Sequence, residues 1–544
     1  MNRKRLKLGL LLDSYDVPAW VYCFLERITN SNFAEFSLII LNANNIGFGN
    51  GNIIKSKHGI VYRVSNVIDE RIFLEAQNAL EQKNSEKLFS NAAVIKVVPN
   101  KKGGADCFAP SDIDEIRGYE LDILIQIGFK NLQGDILTAS RYGVWSYHFE
   151  GNPHGFWEVV DGQTETRVIL HNLSEGMNGG RCLYRSWSAT YPLSPARNRN
   201  RSLWLASSFL PRQIALLHQL GEKEFFLEIK KYEEADALSK KQYENPPSNL
   251  LTLRLITRLL VKISREIFTR IFYLDAWFLL FDFNANTPNP FGNYKKILPP
   301  KDRFWADPYV IQKDDNYYVF IEEYVYKTKK GRISVFELDQ QGNYTKPVPI
   351  LEKEYHLSYP CVFEWKDKYY MVPESAENQT IDLYECLEFP GNWVHKMTLM
   401  ENVRAVDTTV IFYHGKWWLF TGISENEGAF PEVELFLFFS DELFTKEWKP
   451  HPKNPIVSDV KKARPAGRIF TSDGKLFRPS QDCSRSYGYG FDLNEILVLS
   501  ETNYKEEKVS SVRPWDKIIL GTHTYGAEGK FKIIDAYTRR PKFL

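Results

Sequence analysis

The sequence has almost no excess of charge of either sign. Its 544 residues include 69 lysines and arginines against 68 aspartates and glutamates, which gives a formal net charge of +1. A protein that binds nucleic acid usually carries a basic face or stripe that is visible in its charge balance. We therefore expect no nucleic-acid partner.

Cysteine is scarce and scattered. The six cysteines show no C-x-x-C spacing, which would indicate a zinc site, and they are too sparse for a disulfide framework. We predict no metal site and a reducing compartment, the cytoplasm. The cysteines are Cys23, Cys107, Cys182, Cys361, Cys386 and Cys483.

Long apolar runs are missing as well. No run of about 18 apolar residues occurs, the length from which a membrane-spanning helix is suspected. The basic start and the apolar residues 6–12 are similar to a signal peptide, but Asp13 and Asp16 end the run early and no small-residue cleavage site follows. We expect neither a transmembrane segment nor a cleaved leader.

Aromatic residues, in contrast, are abundant, at 14% of the chain. Apolar residues make up 43% and charged residues 25%, as in ordinary globular proteins. A chain of this length is too long for one hydrophobic core, so we expect roughly two to four domains. The aromatic excess favours at least one domain rich in β-strand.

Apolar periodicity in the first part of the chain predicts a doubly wound α/β sheet. It indicates a strand at 6–12, a helix at 17–28 and a strand at 36–41. Two further buried strands are predicted at 121–128 and 143–148. The Gly-rich residues 47–52 are interpreted as a loop, and residues 80–110 as a solvated connection.

The last of these strands ends in Ser146-x-His148. Open α/β sheets bind their ligands in the crevice outside the carboxyl ends of the strands. A Ser-x-His pair at such an end is therefore a candidate for chemistry. The alternative is a hydrogen-bonded His148 without a catalytic role.

These features resemble the formyltransferase family over roughly the first 200 residues. That family passes a formyl group from a folate carrier to an amine, and its core carries an Asn-x-His at a strand end and a later Asp-x-Gly. Ser146 stands where the family has Asn, and Asn178 stands where it has the catalytic Asp. The motifs that carry the resemblance lie at 121–128, 143–148, 155–159 and 175–180.

The resemblance implies transfer of a formyl or other acyl group with 10-formyltetrahydrofolate as the donor. His148 would stabilise the oxyanion, Ser146 would donate a hydrogen bond beside it, and Asn178 would orient His148. An amide cannot take the proton of the attacking amine, so a carboxylate is needed as the base. The candidates, among which the sequence does not choose, are Glu150, Asp161 and Glu175.

A basic amphipathic helix is predicted for residues 246–270. Basic side chains recur every three to four positions among apolar ones, at Arg254, Arg258, Lys262 and Arg265. Such a helix lies on an anionic membrane surface or packs its apolar face on a neighbouring domain. We favour packing and keep peripheral membrane contact through 254–270 as the alternative.

From residue 271 onward a unit recurs at the length of a four-stranded propeller blade, about 50 to 60 residues. Each unit has a polar turn, aromatic residues and an apolar run. Five units predict an all-β five-bladed propeller over 271–544, with residues 276–281 closing the ring against the last blade. The units lie at 315–320, 367–372, 415–420, 474–477 and 529–534.

This half of the chain is similar to two groups of proteins. Residues 303–308 and 320–323 resemble the first blade of the five-bladed propellers of glycoside hydrolase family 43. More closely, the whole half resembles the N-terminal region of glucosamine inositolphosphorylceramide transferases, plant enzymes whose sugar transfer belongs to a separate C-terminal domain. The resemblance implies a sugar context. Its further motifs lie at 356–360, 373–375, 405–407, 463–468, 478–483 and 521–524.

Polar residues in these motifs are candidates for binding a sugar or nucleotide sugar. Two carboxylates across a glycosidic bond would suit hydrolysis, and arginines bind phosphate or carboxylate with two parallel hydrogen bonds. Ion pairs between blades and a purely structural axis are the alternatives. The candidates are Asp307, Glu374, Asp407, Arg464, Arg468, Gln481, Asp482 and His523.

The sequence thus predicts a formyltransferase-like α/β domain with a Rossmann-type open sheet at 1–245, a helical linker at 246–270 and a propeller at 271–544. The preferred function is transfer of a formyl or other acyl group to an amino sugar or nucleotide-linked sugar in surface-polysaccharide biosynthesis, with the propeller holding the sugar. Two alternatives remain open: a non-catalytic sugar-binding protein, and a glycosidase that acts through the propeller.

Overall fold

The computed structural model describes residues 3–44, 59–74, 77–149, 151, 153–175, 180–233, 248–283, 294–426 and 428–543. The chain folds into two compact units. The first comprises Met1–Lys262 with Asn426–Ala429, and the second comprises Ile263–Glu425 with Phe430–Leu544. None of the described helices is long and apolar enough to cross a membrane.

The first unit has an α/β fold. Its strands are β1 (Leu6–Leu12), β2 (Asp16–Pro18), β3 (Ala34–Asn42), β4 (Gln82–Asn84), β5 (Ala93–Val97), β6 (Asn100–Lys102), β7 (Ala105–Cys107), β8 (Ile123–Gln126), β9 (Val144–Phe149), β10 (Glu165–Asn172) and β11 (Arg181–Ala189). Its helices are α1 (Ala19–Thr29), α2 (Ile60–Phe73), α3 (Pro110–Gly118), α4 (Phe156–Asp161), α5 (Pro195–Ala206), α6 (Phe209–Leu220), α7 (Glu222–Glu228) and α8 (Lys230–Glu233). The helix α9 (Asn249–Phe272) contains the division between the units.

Seven of these strands form one sheet in the order β11-β10-β9-β8-β1-β3-β5. Strands β5, β3, β1, β8 and β9 are parallel, β10 is antiparallel to β9, and β11 is antiparallel to β10. The chain moves outward from β1 to β3 and β5 and then returns to β8 on the other side of β1. The order therefore reverses between β1 and β8, as in doubly wound sheets.

The apolar runs of the sequence form the centre of this sheet. Leu8, Leu10, Leu11 and Leu12 in β1 are fully buried, as expected of a parallel strand covered on both faces. The predicted open α/β sheet is confirmed, and β1, β8 and β9 lie where strands were predicted. The Gly-rich residues 47–52 lie outside the described residues.

The interpretation of residues 80–110 as a solvated connection is wrong. This segment contains β4 to β7, and β5 pairs with β3 as the edge strand of the main sheet. Ile95 and Val97 point into the core, while Lys96 between them is exposed. An edge strand buries fewer residues than a central one, so its apolar signal is short and mixed with polar residues.

The second unit is all β. Its strands are β12 (Tyr273–Asp282), β13 (Lys295–Ile297), β14 (Arg303–Lys313), β15 (Asn316–Val325), β16 (Lys330–Leu338), β17 (Val348–Leu351), β18 (Ser358–Trp365), β19 (Lys368–Glu374), β20 (Thr380–Glu388), β21 (Asn392–Glu401), β22 (Ala405–Tyr413), β23 (Lys416–Ile423), β24 (Glu434–Ser440), β25 (Lys449–Pro450), β26 (Val457–Ser458), β27 (Phe470–Ser472), β28 (Lys475–Asp482), β29 (Gly490–Leu499), β30 (Tyr504–Val512), β31 (Tyr525–Glu528) and β32 (Phe531–Pro541).

These strands form five sheets, and the predicted five-bladed propeller is confirmed. The blades have the orders β14-β15-β16-β17, β18-β19-β20-β21, β22-β23-β24-β25 with β26 beside β24, β27-β28-β29-β30, and β13-β12-β32-β31. Each recurring sequence unit lies at the hairpin between the first and second strands of a blade. Strand β12 pairs with β32 along its whole length, which closes the ring as predicted.

The helix α9 joins the two units. The predicted basic amphipathic helix is present as α9, but it buries only Thr252 and Leu255 among its side chains. The predicted packing of the apolar face on a domain is therefore confirmed only at the start of the helix, where Leu255 joins Tyr62, Phe156 and Trp157 in one cluster. The six cysteines are all free.

Ring closure through β12 predicts a large stability effect at Phe281. This side chain is 1% exposed and packs with Phe531 of β32. Phe281→Ala should lower the free energy of unfolding of the propeller by roughly 3–5 kcal/mol, because it leaves a cavity in a closed core. Urea unfolding is the measurement, with Phe543→Ala as the control, since Phe543 is 76% exposed. Equal, small effects of both substitutions would contradict the closure.

Candidate functional site

A large cavity lies at the carboxyl ends of the parallel strands of the first unit. Its volume is about 1370 Å³, somewhat above the range of roughly 300–1,000 Å³ that is usual for ligand pockets. The ends of β8 and β9, the segment 127–133, the start of α1 and one face of α2 line it. The cavity thus lies where the strand order reverses, the usual ligand site of such sheets.

Four polar side chains from three adjacent strands share one face of the sheet in this cavity. Ser146 of β9 lies opposite Gln126 of β8 and opposite His171 of β10. His148 follows Ser146 by two residues, so it points to the same face. The rings of His148 and His171 are nearly parallel, with centroids 5.5 Å apart, and His148 is exposed whereas His171 is buried.

The segment that follows β8 is held in a fixed shape above the strand ends. An Asp13 carboxylate oxygen accepts hydrogen bonds from the backbone N–H of Phe129 at 3.0 Å and from the side chain of Asn42 at 2.8 Å. A Cβ at Gly128 would lie 2.3 Å from the backbone nitrogen of Asp13, so only glycine fits there. Phe129 and Asn131 have φ values of 61° and 46°. Such strained residues persist where the surrounding structure holds them, often at functional sites.

Two of the three candidate bases, Asp161 and Glu175, lie among the residues that the structure describes. Glu175 lines the cavity, where its carboxylate accepts a hydrogen bond from the N–H of Gly134 at 3.0 Å. Asp161, the last residue of α4, is not among the lining residues. Glu150 and Asn178 lie outside the described residues. Of the described candidates, Glu175 is thus the one that faces the same space as His148.

The cavity also contains polar groups that the sequence did not single out. A nitrogen of His154 lies 2.7 Å from the Ser202 hydroxyl, and Arg199 donates to Glu70 at 2.8 Å. Both His154 and Arg199 line the cavity. Together with His171 they come from elements distant in sequence, so no local motif announces them.

In the second unit, the innermost strands of three consecutive blades share one irregularity. Asp307, Tyr359 and Asp407 have φ values of 53°, 44° and 49°, each at a break in the ladder with the next strand. Their backbone N–H groups donate to carboxylates: Asp307 to Asp535 at 3.2 Å, Tyr359 to Asp307 at 3.1 Å, and Asp407 to Glu374 at 3.0 Å. Bulges of this kind aim side chains inward.

Arg464 compensates two of these carboxylates. It donates to Asp407 at 2.6 Å and lies 3.5 Å from Glu374, and it is only 6% exposed. Gln481 also donates to Asp407, at 2.8 Å. Burial raises the pKa of Glu374 well above its usual value, and the Asp407 carboxylate raises it further.

His523 lies between the carboxylates of Asp307 and Asp535. One ring nitrogen is 2.6 Å from Asp535 and the other is 3.4 Å from Asp307, which also accepts from the Thr524 hydroxyl at 2.8 Å. Burial raises the pKa of Asp307 to about 6, with His523 opposing the rise and Asp407 adding to it. Burial by itself would lower the pKa of His523, but the two carboxylates outweigh it and raise that pKa.

The axial cluster therefore unites six of the eight predicted sugar-binding residues: Asp307, Glu374, Asp407, Arg464, Gln481 and His523. Arg468 instead pairs with Glu528 at 2.8 Å and is half-buried, and Asp482 pairs with Arg513 at 2.9 Å. Whether any of the eight binds sugar stays a prediction.

Two acidic residues of the axial cluster, Asp535 and Glu322, were not among the candidates predicted from the sequence. Burial raises the pKa of Glu322 well above its usual value, and Asp307 and Glu374 add to this. Glu322 stands opposite Ala306 in its blade just as Glu374 stands opposite Ser358 in the next. Aligning the blades with one another would have found it.

Known proteins match the second unit best. Residues 297–517 match the family model described as glucosamine inositolphosphorylceramide transferase 1, N-terminal. Proteins of that name from Oryza sativa subsp. japonica and Arabidopsis thaliana are each 34% identical, over 210 and 209 residues. The matches cover 38% of this chain but only 28% and 27% of those relatives. The resemblance predicted from the propeller motifs is thus confirmed for this region.

Solved structures are more distant. A family 117 glycoside hydrolase of Zobellia galactanivorans has 13% identity and a TM-score of 0.33, covering 48% of this chain and 90% of its own. A glycinamide ribonucleotide transformylase of Symbiobacterium toebii has 13% identity and a TM-score of 0.26, covering 40% and 88%. At these scores neither adds to the argument, and the fold assignment depends on the strand orders.

The axial cluster predicts that Arg464→Met destabilises the propeller by roughly 3–5 kcal/mol, because it leaves buried carboxylates without their cation. Arg468→Met is the matched control. Its ion pair is partly exposed, so we expect a loss below about 1 kcal/mol. Urea unfolding near neutral pH is the measurement, and equal losses in the two variants would contradict the account.

The loss in Arg464→Met should also depend on pH. Without the cation the pKa of Glu374 rises further, so the folded variant holds a proton that the unfolded chain releases above about pH 4.3. Stability therefore falls as pH rises from that value toward neutrality. Urea unfolding at a series of pH values is the measurement. If the loss of stability in Arg464→Met shrinks as pH rises, the predicted direction of the pH dependence is wrong.

Proposed function

We propose that the protein transfers a formyl or other acyl group to the amine of an amino sugar, with the cavity of the first unit as the reaction site. One observation carries the proposal: Ser146, His148 and Glu175 line one large cavity at the switch point of an open α/β sheet. A donor pair and a carboxylate are the groups that acyl transfer to an amine requires.

The roles follow from chemistry and position. His148 and Ser146 would supply hydrogen bonds where negative charge develops on the acyl oxygen. His171, with its ring against that of His148, would fix the orientation of the His148 ring. Glu175 would accept the proton of the attacking amine and deliver it to the leaving nitrogen of the carrier as the bond between that nitrogen and the formyl carbon breaks. Asn178 would help to orient His148, as predicted from the sequence, and Glu150 stays the alternative base to Glu175.

We propose 10-formyltetrahydrofolate as the donor that binds in this cavity. Its volume of about 1370 Å³ is above that of usual ligand pockets, and Trp20 and Tyr62 among its lining residues would offer apolar surfaces to a flat ring system. When bound, this carrier would supply the formyl carbon.

The relatives support a sugar as the acceptor. Their names describe a transferase that handles glucosamine and a ceramide-based lipid. We therefore propose an amino sugar carried by a lipid or a nucleotide as the acceptor, within the synthesis of a glycolipid or a surface polysaccharide. The free cysteines are in keeping with a reducing compartment, and we propose the cytoplasm.

A second candidate function is sugar binding by the propeller without turnover. Tyr487 favours it, because this residue is 48% exposed while the guanidinium of Arg464 lies 4.9 Å from its ring centroid. An exposed aromatic face beside buried charges is a platform on which a sugar ring can stack. The glycosidase alternative has less support, since Asp407 is engaged by Arg464 and Gln481.

The test is mass-spectrometric detection of product from 10-formyltetrahydrofolate and a panel of lipid-linked and nucleotide-linked amino sugars. We expect a mass gain of one formyl group. His148→Ala should lower the rate about 10²- to 10³-fold by removing an oxyanion donor, and Glu175→Gln about 10²- to 10⁴-fold by removing the base.

His218→Ala serves as the control, because His218 lies in α6 and does not line the cavity. Transfer that survives in His148→Ala would overturn the proposed site. Saturable sugar binding without any product, lost in Tyr487→Ala, would favour the binding function instead.

A further inference from the structure

The helix α9 exposes an apolar face along its whole length. Successive residues of a helix are 100° apart, and at this spacing the six apolar side chains named at the end of this paragraph fall on one side of α9. Each is about half exposed or more, whereas Leu255 on the opposite side is buried. The exposed side chains and their exposed fractions are Leu250 (63%), Leu253 (55%), Val261 (48%), Ile267 (52%), Phe268 (55%) and Ile271 (52%).

A basic stripe runs along one edge of this face. Arg254, Arg258, Lys262 and Arg265 follow one another at spacings of four, four and three residues and are all exposed. Glu266 is the one acidic residue of α9, and it pairs with Arg270 at 2.9 Å. The helix therefore combines a wide apolar face with a strong positive charge.

The neighbouring helix α2 extends the apolar surface. The two helices begin side by side, since the N–H of Val61 donates to the Asn249 side chain at 3.2 Å, and Tyr62 packs in one cluster with Leu255. Helix α2 exposes four aliphatic side chains by more than half: Ile60 (65%), Val64 (55%), Ile68 (52%) and Ile72 (66%). Apolar patches of this extent are uncommon on soluble proteins without a partner.

We propose that α9, with the adjoining α2, docks the protein on the surface of an anionic lipid bilayer. The helix would lie in the plane of the interface, with its apolar face at the boundary of the acyl chains and its arginines on the lipid phosphates. Because no described helix can cross a membrane, this is attachment to the surface.

Charge decides between a bilayer and a second copy of the chain as the occupant. A symmetric dimer through this face would bring two basic stripes together, because each copy presents the same patch to the other. An anionic bilayer has the opposite charge and an apolar interior, which complements both parts of the face. The inference does not depend on the proposed transfer reaction.

The test is co-sedimentation of the full chain with phosphatidylcholine vesicles, with and without phosphatidylserine. We expect binding to the anionic vesicles that weakens as salt is added. Arg254→Gln, Arg258→Gln and Arg265→Gln together should weaken binding on the order of a hundredfold, at about fivefold for each charge removed near the surface. The control replaces three exposed basic residues elsewhere: Arg117→Gln, Lys505→Gln and Lys530→Gln.

A second variant, Ile267→Gln with Phe268→Gln, removes apolar side chains that are already exposed, so it should fold normally, as circular dichroism can verify. We expect it to lose vesicle binding. Two results would overturn the proposal: wild-type protein that ignores anionic vesicles at low salt, or binding that neither α9 variant changes. Concentration-dependent dimers that dissociate in the Gln variant, without vesicle binding, would identify a second copy as the occupant.

Discussion

The way in which strand ends meet decides which polar groups of this protein reach solvent. In the first unit the loops diverge on either side of the switch point between β1 and β8, and a cavity opens there. In the propeller the innermost strands converge on the axis and bury the charges they carry. Buried charges must be paired, since an unpaired one costs several kcal/mol.

Solvent access distinguishes polar groups that a ligand can contact from charged groups that stabilise the fold. His148 is exposed beside the buried His171, so a ligand in the cavity can reach its ring. Asp407, in contrast, accepts from Arg464 and Gln481 at short distances. The network around it joins neighbouring blades through their carboxylates and backbone N–H groups, which is a structural task. Tyr487, whose ring centroid lies 4.9 Å from the Arg464 guanidinium of that network, is half-exposed.

Much of this arrangement could be predicted from the sequence. The buried runs of β1, β8 and β9 and the repeated hairpins of the blades are local patterns, and they place His148 near the carboxyl end of β9 and Asp307 within the first strand of a blade. His171 and Asp535 were out of reach, because their positions depend on strand pairing across the sheet. The exposure of the apolar face of α9 was also unpredictable, since periodicity gives the existence of a face but not what covers it.

Hydrogen exchange of the full chain, followed by mass spectrometry with and without an amino-sugar acceptor and a formyl donor, tests the central claim most directly. If the cavity of the first unit is the reaction site, the ligands should slow exchange in peptides covering residues 126–149 and 171–175. Peptides from the propeller axis, around 463–468 and 521–526, are already buried and should change little. Protection confined to the axial peptides would contradict the account and place ligand binding in the propeller.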